Sequence, residues 1–165
     1  MTRSAPQRSE LPTLDRVLEF MQVMWAVDHQ LQSVSKNMKS TLGLTVPQRM
    51  SLLLIGRNPQ ISAGELAESL HLHPGTISGI VSRLEDAGFI TRESDETDAR
   101  RTRLVVTRRG RVANRRRKGT FEDAVRRVLG ASSSHEIAGA ERVLGRLALQ
   151  LQAIVGASTS SRALR

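Results

Sequence analysis

Two short amphipathic stretches set one after the other between Ser62 and Gly88 constrain this chain more than any other feature. Ser62-Ala63-Gly64-Glu65 has the form of a capping box, in which the serine hydroxyl accepts from the third helical N–H and the glutamate reaches back to the serine N–H. Leu66, Ala67 and Leu70 then recur on one helical face. After three intervening residues Pro74 opens a second stretch, a position where its missing N–H costs no helical bond. Ile77, Ile80, Val81 and Leu84 form its inward stripe, and Gly88 ends it. Two short helices joined by a few residues, the second with small polar groups on its outer face, form a helix-turn-helix pattern.

The flanks extend that pattern. Apolar residues recur at three-or-four spacing from Leu14 through Val17, Leu18, Met21, Met24, Trp25, Leu31, Val34, Met38 and Leu42, interrupted by Asp28, and predict one long helix ending near Gly43. Thr45-Val46-Pro47-Gln48 is a second capping box, opening a short helix that stops between Gly56 and Pro59. Phe89 to Ser94 and Thr102 to Thr107 are rich in β-branched or alternating residues and enclose a polar segment, which predicts a hairpin. Thr107 caps a helix expected to run unbroken from an Arg-rich half, Arg108 to Lys118, into an amphipathic half carrying Phe121, Ala124, Val125, Val128 and Leu129. Ser133 and Glu136 make a third box, and Ile137, Ala140, Leu144, Leu147, Leu151 and Ile154 give the last helix a coiled-coil-like seam. Residues 1–12 and 156–165 read as flexible ends.

Charge narrows the partners. The chain has 165 residues and a net charge of +9. Eleven basic and four acidic residues lie between Thr91 and Lys118, so seven of the nine excess charges sit in that window. Clustered cations gain free energy by releasing counterions from a polyanion. With three Phe, one Trp and no Tyr, the chain lacks the stacking platforms of single-strand and sequence-specific RNA binders, whereas a helix reading duplex DNA needs none. Zero Cys removes disulfide, thiolate and Cys-zinc chemistry. No catalytic or cofactor-binding fingerprint is present, His71 and His73 lack the spacing of a zinc pair, and neither enzyme activity nor a cofactor is expected. No apolar run approaches the ~20 residues that span a bilayer and no signal-like stretch opens the chain, so a cytoplasmic protein without a membrane partner is expected.

Five stretches then occur in order: Leu44-Thr45-Val46-Pro47-Gln48, Ser62 to Ala67, Leu84 to Ile90, Asp98-Ala99-Arg100, and Thr107-Arg108-Arg109-Gly110. Together they resemble the MarR family of bacterial winged helix-turn-helix transcriptional regulators. The resemblance implies a mainly α fold with a small β-hairpin, a winged helix-turn-helix flanked by dimerisation helices. It divides the chain into a flexible segment 1–12, an N-terminal dimerisation helix 13–43, a DNA-binding domain 44–110, C-terminal dimerisation helices 111–155 and a tail 156–165. The function implied is that of a homodimer on double-stranded DNA, a repressor at a pseudo-palindromic operator.

In that reading Gly75, Thr76, Ser78, Gly79, Ser82 and Arg83 face the major groove, hydroxyls bonding to base edges or phosphates and glycines allowing close approach. Gly79 departs from the longer polar residue the family leads one to expect, which makes direct readout sparse. Arg100 enters the minor groove, with Asp98 orienting the wing. Ser62, Arg101, Arg103, Arg108 and Arg109 are phosphate contacts, while Arg115 to Lys118 rank as solvated or steering charges. Family members bind small anionic or aromatic effectors, for which Met24, Trp25 and His29 are pocket candidates. Two alternatives stay open from the residues alone: a winged-helix interaction protein using its basic helix on RNA, ribosomes or an acidic protein, and a nonspecific nucleoid-type binder.

Overall fold

The computed structural model describes residues 11–94 and 102–162. Along the chain run α1 (Leu14–Leu42), α2 (Val46–Arg57), α3 (Ala63–Leu70), α4 (Pro74–Asp86), β1 (Ile90–Ser94), β2 (Thr102–Val106), α5 (Arg108–Arg115), α6 (Phe121–Gly130) and α7 (Ser134–Arg162). They divide into two compact units, the first running to Phe121 and the second starting at Glu122.

Local capping chemistry explains most of the helix starts. Thr45 accepts from the Gln48 N–H while Gln48 Oε1 accepts from the Thr45 N–H at 2.9 Å, and Ser62 and Glu65 make the same reciprocal pair. Each pair satisfies two N–H groups that a helix start would otherwise leave open. α1 stops at Gly43, which adopts φ 74°.

The first unit closes around one core. α2 contributes Leu52 and Ile55, α3 Leu66 and Ala67, α4 Ile77, Ile80, Val81 and Leu84, and the hairpin Ile90, Leu104 and Val106. Each fully buried aliphatic side chain is worth about 1.5–3 kcal/mol relative to exposure. The strands pair antiparallel from Ile90 with Val106 to Ser94 with Thr102. The hairpin is fastened in the middle of β2 and at its base. The Leu104 N–H donates to the Ile61 carbonyl at 3.0 Å, and the Thr107 hydroxyl donates to the Gly88 carbonyl at 2.7 Å while accepting from the Gly110 N–H. Gly110 is required here because a Cβ would land on the Phe89 carbonyl oxygen. The Thr-x-x-Gly spacing is therefore a cap followed by a close backbone crossing.

Two expectations need correction. The helix expected to be continuous from Arg108 to Leu129 is broken between Arg115 and Phe121: Arg116 leaves it at φ −76°, ψ 118° and Gly119 adopts φ 76°. Arg49, in the first turns of α2 and only 1% exposed, donates to the carbonyls of Ala113 at 2.7 Å and Arg116 at 2.8 Å, taking acceptors a longer helix would use. Arg49 lies 64 residues upstream of Ala113, so nothing near the break points to it; the one local signal is Gly119, a helix-stopping glycine that the continuous reading passed over. At the other end, α7 continues through Arg162, into the segment expected to be a flexible tail. No proline interrupts that stretch.

In the second unit, Arg127 pairs with Asp123 one turn back on α6 at 2.5 Å. α7 opens on the expected Ser133–Glu136 box, whose hydrogen bonds from the Ser133 hydroxyl and N–H hold the Glu136 carboxyl below its ordinary pKa of 4.5. Among the described residues no helix is long and apolar enough to cross a membrane.

Candidate nucleic-acid interface

α4 has two sharply different sides. Ile77, Ile80, Val81 and Leu84 are buried against α2 and α3, and the opposite side carries Gly75, Thr76, Ser78, Gly79, Ser82 and Arg83, every one of them solvent-exposed. A period of 3.6 residues produces this division. All six expected major-groove residues therefore share one open surface, uncharged except for Arg83. The helix begins at His73, whose Nδ1 accepts from the Gly75 N–H at 3.1 Å. The turn before it is made by His71, held at φ 52° with its N–H donating to the Ala67 and Glu68 carbonyls.

Asp98, Arg100 and Arg101, the contacts expected of the wing, lie outside the described residues. The strands that carry it are braced by ion pairs. Arg92 Nε lies 2.9 Å from Glu85 Oε2, tying β1 to the last turn of α4. Arg103 pairs with its cross-strand neighbour Glu93 at 3.0 Å and donates to Gln60 Oε1 at 3.3 Å. With its side chain only 16% exposed, Arg103 clamps the wing to the body of the unit. The phosphate contact expected of it would have to come from a guanidinium already engaged by Glu93 and Gln60.

The remaining phosphate candidates divide in the same way. Arg108 and Arg109 are exposed at the start of α5, and the Arg109 guanidinium sits 4.9 Å from the centre of the Phe89 ring, a cation–π contact that orients it. Ser62 is less available, because both its N–H and its hydroxyl already donate to Glu65 Oε2, each at 2.8 Å. A carboxylate in that place opposes a second anion.

The effector candidates do not gather. On α1, Met24 is half-buried, His29 is exposed and Trp25 is 77% exposed. An open cleft of about 430 Å³ lies instead beside the α2–α3 turn, lined by Arg57, Gln60, Glu65 and Ser69 among others, and includes none of the three. Among the described residues no group of three or more His, Asp or Glu could hold a metal ion.

With this geometry in hand, known proteins give a consistent match. The family model described as MarR family matches residues 44–102. An HTH-type transcriptional repressor of Mycobacterium tuberculosis is 30% identical over 108 residues, covering 66% of this chain and 78% of the relative. The organic hydroperoxide resistance transcriptional regulator of Bacillus subtilis is 28% identical over 88 residues, covering 53% of this chain and 60% of that protein. In fold, the chain is similar to the S. aureus MepR–DNA complex, with TM-score 0.65, 18% identity and coverage of 80% and 97% of the two chains.

Proposed function

This chain belongs to the MarR family, and on that premise we propose that it is a homodimeric, sequence-specific DNA-binding repressor of transcription. The observation that carries the reading is the outer face of α4, six exposed small or polar residues backed by a fully buried apolar stripe. A rigid, nearly uncharged helix face of that kind suits entry into a major groove, where hydroxyls reach base edges and glycines bring the backbone near.

The other roles follow from position and charge. Arg100 enters the minor groove with Asp98 orienting it, and Arg101, Arg108 and Arg109 meet phosphates. α1, α6 and α7 supply the dimer contact, a reading supported by Leu18, Met21, Trp25, Val128, Leu151 and Ile154, all large apolar residues left exposed. A two-fold axis would set the two α4 helices about 34–36 Å apart on a pseudo-palindromic operator. Release by a small anionic or aromatic ligand belongs to the same proposal, with Met24, Trp25 and His29 as its contacts in the dimer, and a phenolic titration that lowers DNA affinity is its check.

Competition binding against scrambled duplex tests the central reading. A specificity ratio of roughly 10³ or more is expected. A ratio near one would make the protein a nonspecific nucleoid-type binder, and equal or tighter binding to RNA would make it a winged-helix interaction protein.

A further inference from the structure

The break between α5 and α6 is imposed from across the first unit. In an uninterrupted helix the carbonyls of Ala113, Asn114 and Arg116 would accept from the N–H groups of Arg117, Lys118 and Thr120. Here the Arg49 guanidinium reaches them instead. Nη1 donates to Ala113 O at 2.7 Å and to Asn114 Oδ1 at 3.4 Å, while Nη2 donates to Arg116 O at 2.8 Å and Asn114 O at 3.4 Å. A planar fork spreads its N–H donors over two nitrogens and so bridges the Ala113 and Arg116 carbonyls, whereas an ammonium gathers its donors on a single atom. Because Arg49 is buried, the bonds are made away from competing water.

Neighbouring contacts hold the same corner. Asn114 Nδ2 donates to the Leu52 carbonyl of α2 at 3.1 Å, and Arg116 Nη1 reaches the Thr41 carbonyl near the end of α1 at 3.5 Å. Gly119, at φ 76°, supplies the left-handed residue that turns the chain before Phe121. The corner falls immediately ahead of the boundary between the two compact units.

We infer that Arg49 is a positioning residue for DNA binding. By ending α5 and pinning the chain where it leaves the winged unit, it sets the separation at which the two α4 helices of a dimer meet DNA. This rests on the dimeric regulator proposed above and adds that operator half-site spacing is read through a buried side chain that touches no DNA.

The test uses full-length wild type, Arg49→Met and Arg49→Lys. The probe is a duplex selected in vitro by the wild type, rebuilt with its half-sites one or two base pairs closer or farther, together with a duplex bearing a single half-site. One base pair moves a half-site about 3.4 Å along the axis, and wild type is expected to discriminate adjacent spacings by roughly tenfold. Arg49→Met should keep its dimer mass and single half-site affinity while discriminating spacings by less than about threefold, with Arg49→Lys in between. Amide hydrogen exchange gives a readout that does not need the variants: in wild type Arg117 and Lys118 should exchange faster than the interiors of α5 and α6. An unchanged spacing profile in folded, dimeric Arg49→Met overturns the inference. Should that variant not fold, wild-type protection of Arg117 and Lys118 equal to that of a helix interior overturns it instead. Absence of sequence-specific binding by the wild type would refute the regulator reading, and the exchange pattern would still decide whether the break exists.

Discussion

In α4 the side chains of Ile77, Val81 and Leu84 are sealed at 0% exposure, whereas on α7 Leu144, Leu151 and Ile154 stand 45–64% exposed, and on α1 Trp25 reaches 77%. Both sets recur at helical spacing and both are apolar. The difference lies in what the chain itself supplies to meet them. α4 finds α2, α3 and β1 within its own unit, and the long helices at the two ends present surfaces that this chain leaves open. A helical stripe thus specifies a buried face without specifying whether one chain or two will bury it.

The largest expected effect strikes the sealed side of that contrast. Leu84→Ala should destabilise the winged unit by about 2–5 kcal/mol in urea titration, through lost burial and a residual cavity. Leu151→Ala, measured at a concentration low enough to keep the chain monomeric, should change stability by less than about 0.5 kcal/mol. Equal losses would erase the distinction between the two regions. Next in size, the double substitution Leu151→Glu with Ile154→Glu should convert a dimer to a monomer by light scattering at micromolar concentration, leaving the winged unit folded by circular dichroism. A monomeric wild type would break the comparison from the other side.

Substitutions at the proposed DNA contacts come third. Arg100→Ala and Arg83→Ala should each weaken operator binding by about 1–3 kcal/mol in a gel-shift titration without altering dimer mass. Arg103→Ala should instead loosen the wing, showing first as faster amide exchange at Glu93 and Leu104, because its partners are Glu93 and Gln60. The smallest effect concerns pH. Glu136 has its folded carboxyl held below 4.5, so its contribution to the start of α7 is fully present above that value and lost as pH falls through the lowered one. Ser133→Ala should return the Glu136 titration, followed by NMR, towards 4.5.

What the residues disclosed and what they concealed divide by distance along the chain. The boxes at Thr45–Gln48, Ser62–Glu65 and Ser133–Glu136 were readable because each partner lies three residues from the other. The two faces of α4 were readable because a 3.6-residue period sorts them without reference to anything else. The break after Arg115 had Gly119 as its only local sign, and the rest of its cause is an arginine on α2 whose neighbours in sequence give no hint of the carbonyls it reaches. The protein partners of Arg103 were hidden for a similar reason: its charge suggested phosphate, and nothing beside it in sequence points to Gln60, 43 residues away, or to Glu93 on the facing strand. Local order was legible, and the use made of each long basic side chain was not.

The cap on α4 has a consequence for tautomers. Nδ1 of His73 accepts the Gly75 N–H, so in the neutral ring the proton must sit on Nε2. The exposed edge of that imidazole is therefore a donor. In that tautomer the imidazole matches an acceptor such as purine N7, guanine O6 or a phosphate oxygen and has no acceptor of its own for an exocyclic amine, a role left to the Thr76 hydroxyl beside it.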